Sequence, residues 1–151
     1  MTVGKAVLGC IFMTAACTDV LWRRIPNKLI VVGLAAFLPL GGSLLYHQGG
    51  APVLDCLKAG AAAFAIHLIP YWYRQMGAGD VKLAAIAGLL LGWQEWLDYL
   101  GYYCVALLLT AVALLVIGKK RPQSLPLAPL MAVAFLALEL CRVMQNSQAL
   151  Q

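Results

Sequence analysis

Two aspartates, Asp19 and Asp80, are the residues of this sequence best suited to chemistry. Asp19 lies near the end of the first apolar run, in segment 18–28 (TDVLWRRIPNK), and Asp80 follows two glycines in segment 77–82 (GAGDVK). A charged residue costs about 2.5–3.5 kcal/mol at the middle of a membrane helix, so it usually faces a protein interior and is a candidate for function. Two neighbouring carboxyls in a low-dielectric site share one proton. One can then accept a proton while the other donates one, which suits the hydrolysis of a peptide by water.

Each aspartate also has a purely structural interpretation. Asp80 is suited to cap the N-terminus of a helix, a position that aspartate favours. Asp19 is four residues before Arg23, a spacing that places both side chains on one helical face and favours an ion pair. Both interpretations stay open for each residue taken alone.

Composition places these residues in a membrane protein. Of the 151 residues, 63% are hydrophobic and 11% are charged, whereas soluble domains contain about 45–50% apolar and about 25% charged residues. The length accommodates several spans of about 20 residues and no soluble module, so we expect one all-α, polytopic transmembrane domain over residues 1–151. The net charge of +5 comes from basic residues scattered in short loops, which indicates membrane topology rather than binding to nucleic acid.

The apolar runs predict about six transmembrane helices. A cleaved signal peptide is the alternative for the first run, but the preceding segment carries only Lys5 and the run continues to the pair Arg23 and Arg24. Pro39 predicts a kink or an early end of the second helix. The fourth run is short and is expected to extend to Trp96 at the membrane interface. The predicted spans are 6–22, 27–45, 51–73, 80–93, 99–117, and a sixth from Pro126 or Pro129 to residue 141.

The charges predict how these spans are oriented. With alternating loops, eight of the eleven basic residues fall on one side, which the positive-inside rule makes cytoplasmic, so both termini lie outside. Only Asp19 and Asp80 among the acids share that side. The basic residues on it are Arg23, Arg24, Lys28, Arg74, Lys82, Lys119, Lys120 and Arg121; Lys5, Lys58 and Arg142 fall opposite, with Asp55, Glu95, Asp98 and Glu139.

Other polar and sulfur-containing residues give weaker signals. The five cysteines are spread singly without a CxxC pair, so we expect neither a metal site nor a disulfide framework and interpret the cysteines as small core residues. His67, within the third span, suits either a proton relay or a hydrogen bond to a neighbouring helix.

Together, the two aspartate segments resemble the type IV prepilin peptidases, the GxGD-type aspartic proteases of membranes. The similarity comprises Asp19 followed by residues 23–27 (RRIPN), the segment 77–83 (GAGDVKL), and the 61 positions between the two aspartates. A GxGD motif alone is weak, but both segments within a six-span layout are specific. Residues 125–130 (LPLAPL) are loosely similar to the start of the family's last helix.

The resemblance implies that Asp19 and Asp80 are the catalytic pair, that Gly77 and Gly79 shape the loop presenting Asp80, and that no cofactor is needed. Lys82 is a supporting residue of the motif that could influence Asp80 or meet the substrate. The implied substrate is a prepilin or pseudopilin precursor, cut at the cytoplasmic face of the bacterial inner membrane, with pilus-assembly machinery as a further partner.

The chain also departs from part of this family. Long members carry a cytoplasmic insertion with paired CxxC motifs and also methylate the new N-terminus of the pilin, whereas this chain has no such insertion and no CxxC motif. It is similar to the short form associated with Flp-type, tight-adherence pili, for which peptidase activity alone is expected. The alternative from another class is a small transporter or assembly subunit in which the two acids bind a cation or relay protons.

Overall fold

The computed structural model of the chain describes residues 2–116 and 127–148, which form six helices and contain no strand. The expected all-α class is therefore confirmed. The end of the predicted fifth span at Ile117, the basic run 119–121 and the start of segment 125–130 lie outside the described residues. The helices are α1 (Thr2–Trp22), α2 (Asn27–Gln48), α3 (Gly50–Trp72), α4 (Ala78–Leu91), α5 (Trp93–Val116) and α6 (Ala128–Gln148).

Five of these helices, all except α4, are long and apolar enough to cross a membrane. Large apolar side chains cover their outer surfaces, as expected where lipid replaces water as the solvent; Leu38, Leu115 and Val116 are examples. The fourth helix has 14 residues, about 21 Å of helix, which is short for a hydrocarbon core of about 30 Å. The architecture is that of a polytopic helical membrane protein.

Several predicted boundaries differ from the observed ones. The fourth helix ends at Leu91, because Gly92 adopts a positive φ of 78° and starts a new helix at Trp93. The predicted extension to Trp96 is wrong: Trp96 belongs to α5 and is buried. The second helix continues through Pro39 to Gln48, which shows that the proline does not end it. The sixth helix runs past residue 141 to Gln148.

The short helix α4 is the centre of the fold, and nine of its 14 residues are buried. It packs against α1, α2, α3 and α5, which explains why it is apolar on all sides. Its closest neighbour is α3. A Cβ atom added to Gly88 would lie 2.5 Å from the carbonyl oxygen of Ala59, so the two backbones are in direct contact. Close approach of this kind holds membrane helices together through packing.

Helix α6 closes the fold by packing against α1 and α5. The ring of Phe12 in α1 lies 5.5 Å from that of Phe135 in α6 and 5.8 Å from that of Tyr99 in α5. The hydroxyl of Tyr99 donates a hydrogen bond to the carbonyl oxygen of Met131 at 3.4 Å. These contacts fix α1, on which Asp19 lies, against the other half of the molecule.

Ion pairs join α1, α5 and α6 near one end of the bundle. Lys5 and Arg142 each lie 3.0 Å from Oε1 of Glu95, and Glu139 and Asp98 lie within 3.6 Å of Lys5 and Arg142 respectively. We call these five residues the charge cluster. The sequence placed all five on one side of the membrane, and they do lie together. Asp19 is fourteen residues further along α1, about 21 Å away.

Candidate active site

Asp80 is held by the local structure of the α4 N-terminus. Gly77 is the N-cap residue, and Asp80 is the third residue of the helix rather than the cap. Oδ2 of Asp80 accepts a hydrogen bond from the backbone N–H of Gly77 at 3.3 Å, which is half of a capping box. The side chain is 9% exposed, and its other oxygen, Oδ1, has no hydrogen-bond partner within the described part of the chain. Helix capping therefore accounts for one carboxyl oxygen and leaves the other free.

Asp19 lies in the last turn of α1 and is 8% exposed. Its backbone carbonyl accepts a hydrogen bond from the N–H of Arg23, which has a positive φ of 51° and ends the helix. Oδ2 of Asp19 is buried and has no hydrogen-bond partner among residues 2–116 and 127–148. The residues next to it, Val20 and Leu21, are exposed, so this end of α1 has an apolar outer surface.

The fold brings the two aspartates together across 61 positions of sequence. The carboxyls of Asp19 and Asp80 lie within electrostatic range of one another. Each contributes one buried oxygen that no described residue satisfies. Unpaired buried oxygens are rare in proteins because desolvating them is unfavourable. A pair of such oxygens can hold a water molecule or a polar ligand group.

The glycines of the GAGD segment allow close approach at two points. A Cβ atom on Gly79 would lie 2.9 Å from Cβ of Ile25, in the connection between α1 and α2. A Cβ atom on Gly77 would lie 3.1 Å from Oδ2 of Asp80. The sequence had suggested that Gly79 lies in a loop before α4, but it lies in the first turn of that helix. Its contact joins the two segments that carry the aspartates.

The side chain of Lys82 is directed to a different partner. It is exposed, and Nζ lies 3.5 Å from Oδ1 of Asn27 at the start of α2. Residues two apart on a helix point in different directions. The observed contact of Lys82 is therefore between helices α4 and α2.

His67 is buried in α3, and Nδ1 lies 2.7 Å from the carbonyl oxygen of Ala63 in the preceding turn. Because a carbonyl only accepts, Nδ1 carries the proton of this hydrogen bond. One expectation was a hydrogen bond from His67 to a neighbouring helix, but the observed partner lies in the same helix, α3. The imidazole ring packs against that of Tyr103, with 5.8 Å between ring centroids.

Tyr103 is the polar residue of this region that the sequence did not indicate. It lies on α5, is 3% exposed, and its hydroxyl has no hydrogen-bond partner in the described residues. Its phenol group lies within electrostatic range of the Asp80 carboxyl. The available signal was the spacing of Tyr99 and Tyr103, four residues apart on one helical face, but a tyrosine in an apolar span equally suits a core or interfacial position.

Cysteines, histidines and acidic residues are the possible metal ligands of the described part of the chain. In residues 2–116 and 127–148, no three His, Cys, Asp or Glu side chains are grouped so as to hold a metal ion. All five cysteines are free, and the expectation that they are core residues holds only for Cys56. Cys10, Cys17 and Cys104 are exposed on helix surfaces, where lipid surrounds a thiol with an environment as apolar as a protein core.

Fold and site together define a polytopic helical membrane protein with a buried pair of carboxylic acids at one end of its helix bundle. Residues 6–119 match the model of the type IV leader peptidase family, and the chain belongs to that family. The resemblance to prepilin peptidases is thereby confirmed. No curated protein and no solved structure matches the chain.

Proposed function

We propose that this protein is an aspartic endopeptidase that removes the leader from prepilin-like precursors, with Asp19 and Asp80 as its catalytic pair. Membership of a leader peptidase family supports a peptidase with a prepilin-type substrate. The observation that carries the choice of residues is the pair of buried carboxyls, each with an unpaired oxygen. Since ionisable groups inside a membrane protein are unfavourable without a function, the pair is the natural candidate for the chemistry.

In the proposed mechanism, a water molecule lies between the two carboxyls, one ionised and one protonated. The carboxylate takes a proton from the water as its oxygen forms a bond to the scissile carbonyl carbon. The carboxylic acid gives its proton to the carbonyl oxygen, producing a neutral tetrahedral intermediate. When the C–N bond breaks, the leaving nitrogen takes up the proton that the first carboxyl had accepted, and the hydroxyl proton of the intermediate returns to the second. No covalent enzyme intermediate forms.

The substrate is proposed to be a precursor of the Flp type, cut at the cytoplasmic face of the bacterial inner membrane. The predicted excess of basic residues on the side of Asp19 and Asp80 supports that orientation, with both termini outside. The position of the charge cluster, far from Asp19 along α1, is consistent with it. A prepilin carries its own apolar helix, and the exposed apolar end of α1 beside Asp19 supports access from the lipid. We propose peptidase activity without methyl transfer, and a role beside the pilus-assembly machinery.

The test is the intact mass of a co-produced Flp-type prepilin with the wild-type protein, with Asp19→Asn and with Asp80→Asn. We expect the precursor to lose the mass of the leader with the wild type and to stay whole with both variants. The rate of cleavage should fall at least about 10³-fold, because an amide in place of either carboxyl can neither accept the proton from water nor donate a proton to the scissile carbonyl. Asp55→Asn is the matched control. It alters an exposed aspartate of α3 that pairs with Lys58, so cleavage should continue.

All variants must be present in the membrane at equal levels for this comparison. Full cleavage by either Asp19→Asn or Asp80→Asn would rule out the two-carboxyl mechanism. Retention of the leader with the wild type, across several Flp-type precursors, would contradict the proposed substrate and favour the transporter alternative, which yields no product of defined mass.

A further inference from the structure

Tyr103 lies on α5 at the same depth in the bundle as Asp80. Helices α4 and α5 are antiparallel neighbours joined by Gly92 alone. Asp80 is eleven positions before Leu91, and Tyr103 is eleven positions after Gly92. At a rise of 1.5 Å per residue, both are about 16 Å from the turn. The hairpin register therefore brings the phenol and the carboxyl to one level.

Both groups have an unsatisfied atom at that level. The hydroxyl of Tyr103 and Oδ1 of Asp80 are buried, and neither has a hydrogen-bond partner among the described residues. A phenol donates one proton, and a carboxylate oxygen only accepts, so the two atoms are chemically complementary. The electrostatic interaction between Asp80 and the phenol shows that they are near one another.

Packing restricts the direction of the phenol. The Tyr103 ring lies between the imidazole of His67, at 5.8 Å, and the ring of Tyr99, at 6.2 Å and nearly parallel to it. Tyr99 is itself fixed by its hydrogen bond to Met131. A ring held between His67 of α3 and Tyr99 of its own helix has little freedom to turn, so this packing sets the direction of the Tyr103 hydroxyl.

We propose that Tyr103 is a positioning residue for the leader-cleavage reaction, and that its O–H donates a hydrogen bond to Oδ1 of Asp80 in the folded protein, with or without substrate, after a shift of the Asp80 side chain. This inference rests on the proposed function. Asp80 would then be held at both oxygens, at Oδ2 by the N–H of Gly77 and at Oδ1 by Tyr103. Fixing both oxygens restricts the carboxyl to one rotamer and keeps it aligned for proton transfer with water and Asp19. Tyr103 acts through Asp80 and does not contact the substrate.

The kinetic test compares Tyr103→Phe with Tyr99→Phe. Both variants remove one buried hydroxyl from α5 and keep the ring, but the hydroxyl of Tyr99 bonds to a backbone carbonyl of α6. We expect Tyr103→Phe to lower kcat about tenfold with KM unchanged, because the substrate loses no contact. Tyr99→Phe should lose thermal stability and keep its kcat per folded molecule.

A second measurement does not depend on cleavage. The thermal unfolding of Tyr103→Phe, Asp80→Leu and the double variant forms a cycle that reports direct coupling between the two groups. We expect the shifts in unfolding temperature to be non-additive for this pair and additive for Tyr99→Phe with Asp80→Leu.

The outcomes separate this inference from the proposed function. Full kcat in Tyr103→Phe, a change confined to KM, equal losses in the two tyrosine variants, or an additive cycle would each overturn the role of Tyr103. If Asp80→Asn abolishes cleavage in the same assay, the proposed function stands regardless. If Asp80→Asn still cleaves, the proposed function fails, and the cycle alone decides whether the phenol and the carboxyl interact.

Discussion

At the scale of single residues, Asp80 combines a structural and a proposed chemical task in one side chain. Oδ2 completes the N-terminus of α4 by accepting the N–H of Gly77, while Oδ1 stays unpaired in the structure. The interaction at Oδ2 orients the carboxyl relative to its own helix. The contact of Gly79 with Ile25 sets the distance of that helix from the segment following Asp19. The geometry of the pair therefore depends on a glycine that carries no functional group.

Gly79→Ala is expected to lower the rate of leader cleavage about 10- to 100-fold while the protein still folds. The new Cβ would lie 2.9 Å from Cβ of Ile25, a contact too close to exist, so the first turn of α4 and the connection at Ile25 must move apart, which changes the position of Asp80 relative to Asp19. The measurement is the initial rate of precursor cleavage per folded molecule. Gly101→Ala is the control, because its Cβ meets no atom within 4 Å. An unchanged rate in Gly79→Ala would show that this contact does not set the geometry of the site.

At the scale of helices, the pair α3 and α4 forms the rigid support of the site. Helix α4 contains Asp80 at one end and approaches α3 at backbone distance through Gly88. Gly60 on α3 faces Leu89 in a similar way, since a Cβ there would lie 2.6 Å from Cγ of that leucine. The contact at Gly88 is with backbone atoms, which cannot rotate away, whereas the side chain of Leu89 can change its rotamer. The packing of α3 against α4 therefore tolerates a side chain less well at Gly88 than at Gly60.

Gly88→Ala should reduce the free energy of unfolding by about 1–3 kcal/mol, the usual cost of overpacking a core. The added methyl group would press against Ala59 and the N of Gly60 and force α3 and α4 apart. Thermal or denaturant unfolding of the purified protein in detergent measures the change. Gly42→Ala in α2 adds the same group where no atom lies within 4 Å, and should be neutral or slightly stabilising. Equal stability of the two variants would contradict the close packing of α3 and α4.

Much of this arrangement was predictable from the sequence, because apolar runs, basic stops and the GAGD segment each have a direct structural meaning. The number of helices and the location of the charge cluster at one end followed from these patterns. The boundary between α4 and α5 was missed because Gly92 lies one residue before the end of an apolar run at Trp93, where it resembles a packing glycine such as Gly88. Tyr103 was missed for another reason: its depth beside Asp80 depends on the register of a hairpin whose turn had been misplaced.

At the scale of the whole molecule, the charge cluster and the two aspartates occupy separate regions along α1. The cluster joins α1, α5 and α6 through Lys5, Glu95 and Arg142, which are mostly shielded from solvent. Ion pairs that are partly buried and shared among several groups contribute more than exposed pairs. The charge cluster thus holds α1, α5 and α6 together at a distance from the proposed catalytic pair.

Glu95→Gln is expected to lower the free energy of unfolding by about 1–3 kcal/mol and to leave kcat of the folded protein unchanged. The substitution leaves Lys5 and Arg142 facing a neutral group, a smaller effect than the about 3–5 kcal/mol of a fully buried pair because water still reaches the cluster. Asp55→Asn disrupts the exposed pair with Lys58 and should cost less than about 1 kcal/mol. Equal losses in unfolding experiments would show that the cluster is no stronger than a surface pair.

The length of α4 has a consequence for the membrane around the protein. A helix of about 21 Å whose far end lies near one boundary of an about 30 Å hydrocarbon core ends roughly 9 Å short of the other boundary. In that placement we expect the carboxyl of Asp80, and with it the neighbouring carboxyl of Asp19, to be recessed below the plane of the lipid headgroups. We expect water to reach them through a local depression of the membrane surface, which makes bilayer thickness part of the environment of the proposed reaction. Lipids with shorter acyl chains form a thinner hydrocarbon core and bring the aqueous phase nearer to the pair. The ease with which water reaches a peptide bond at this site then depends on acyl-chain length as well as on the amino-acid sequence.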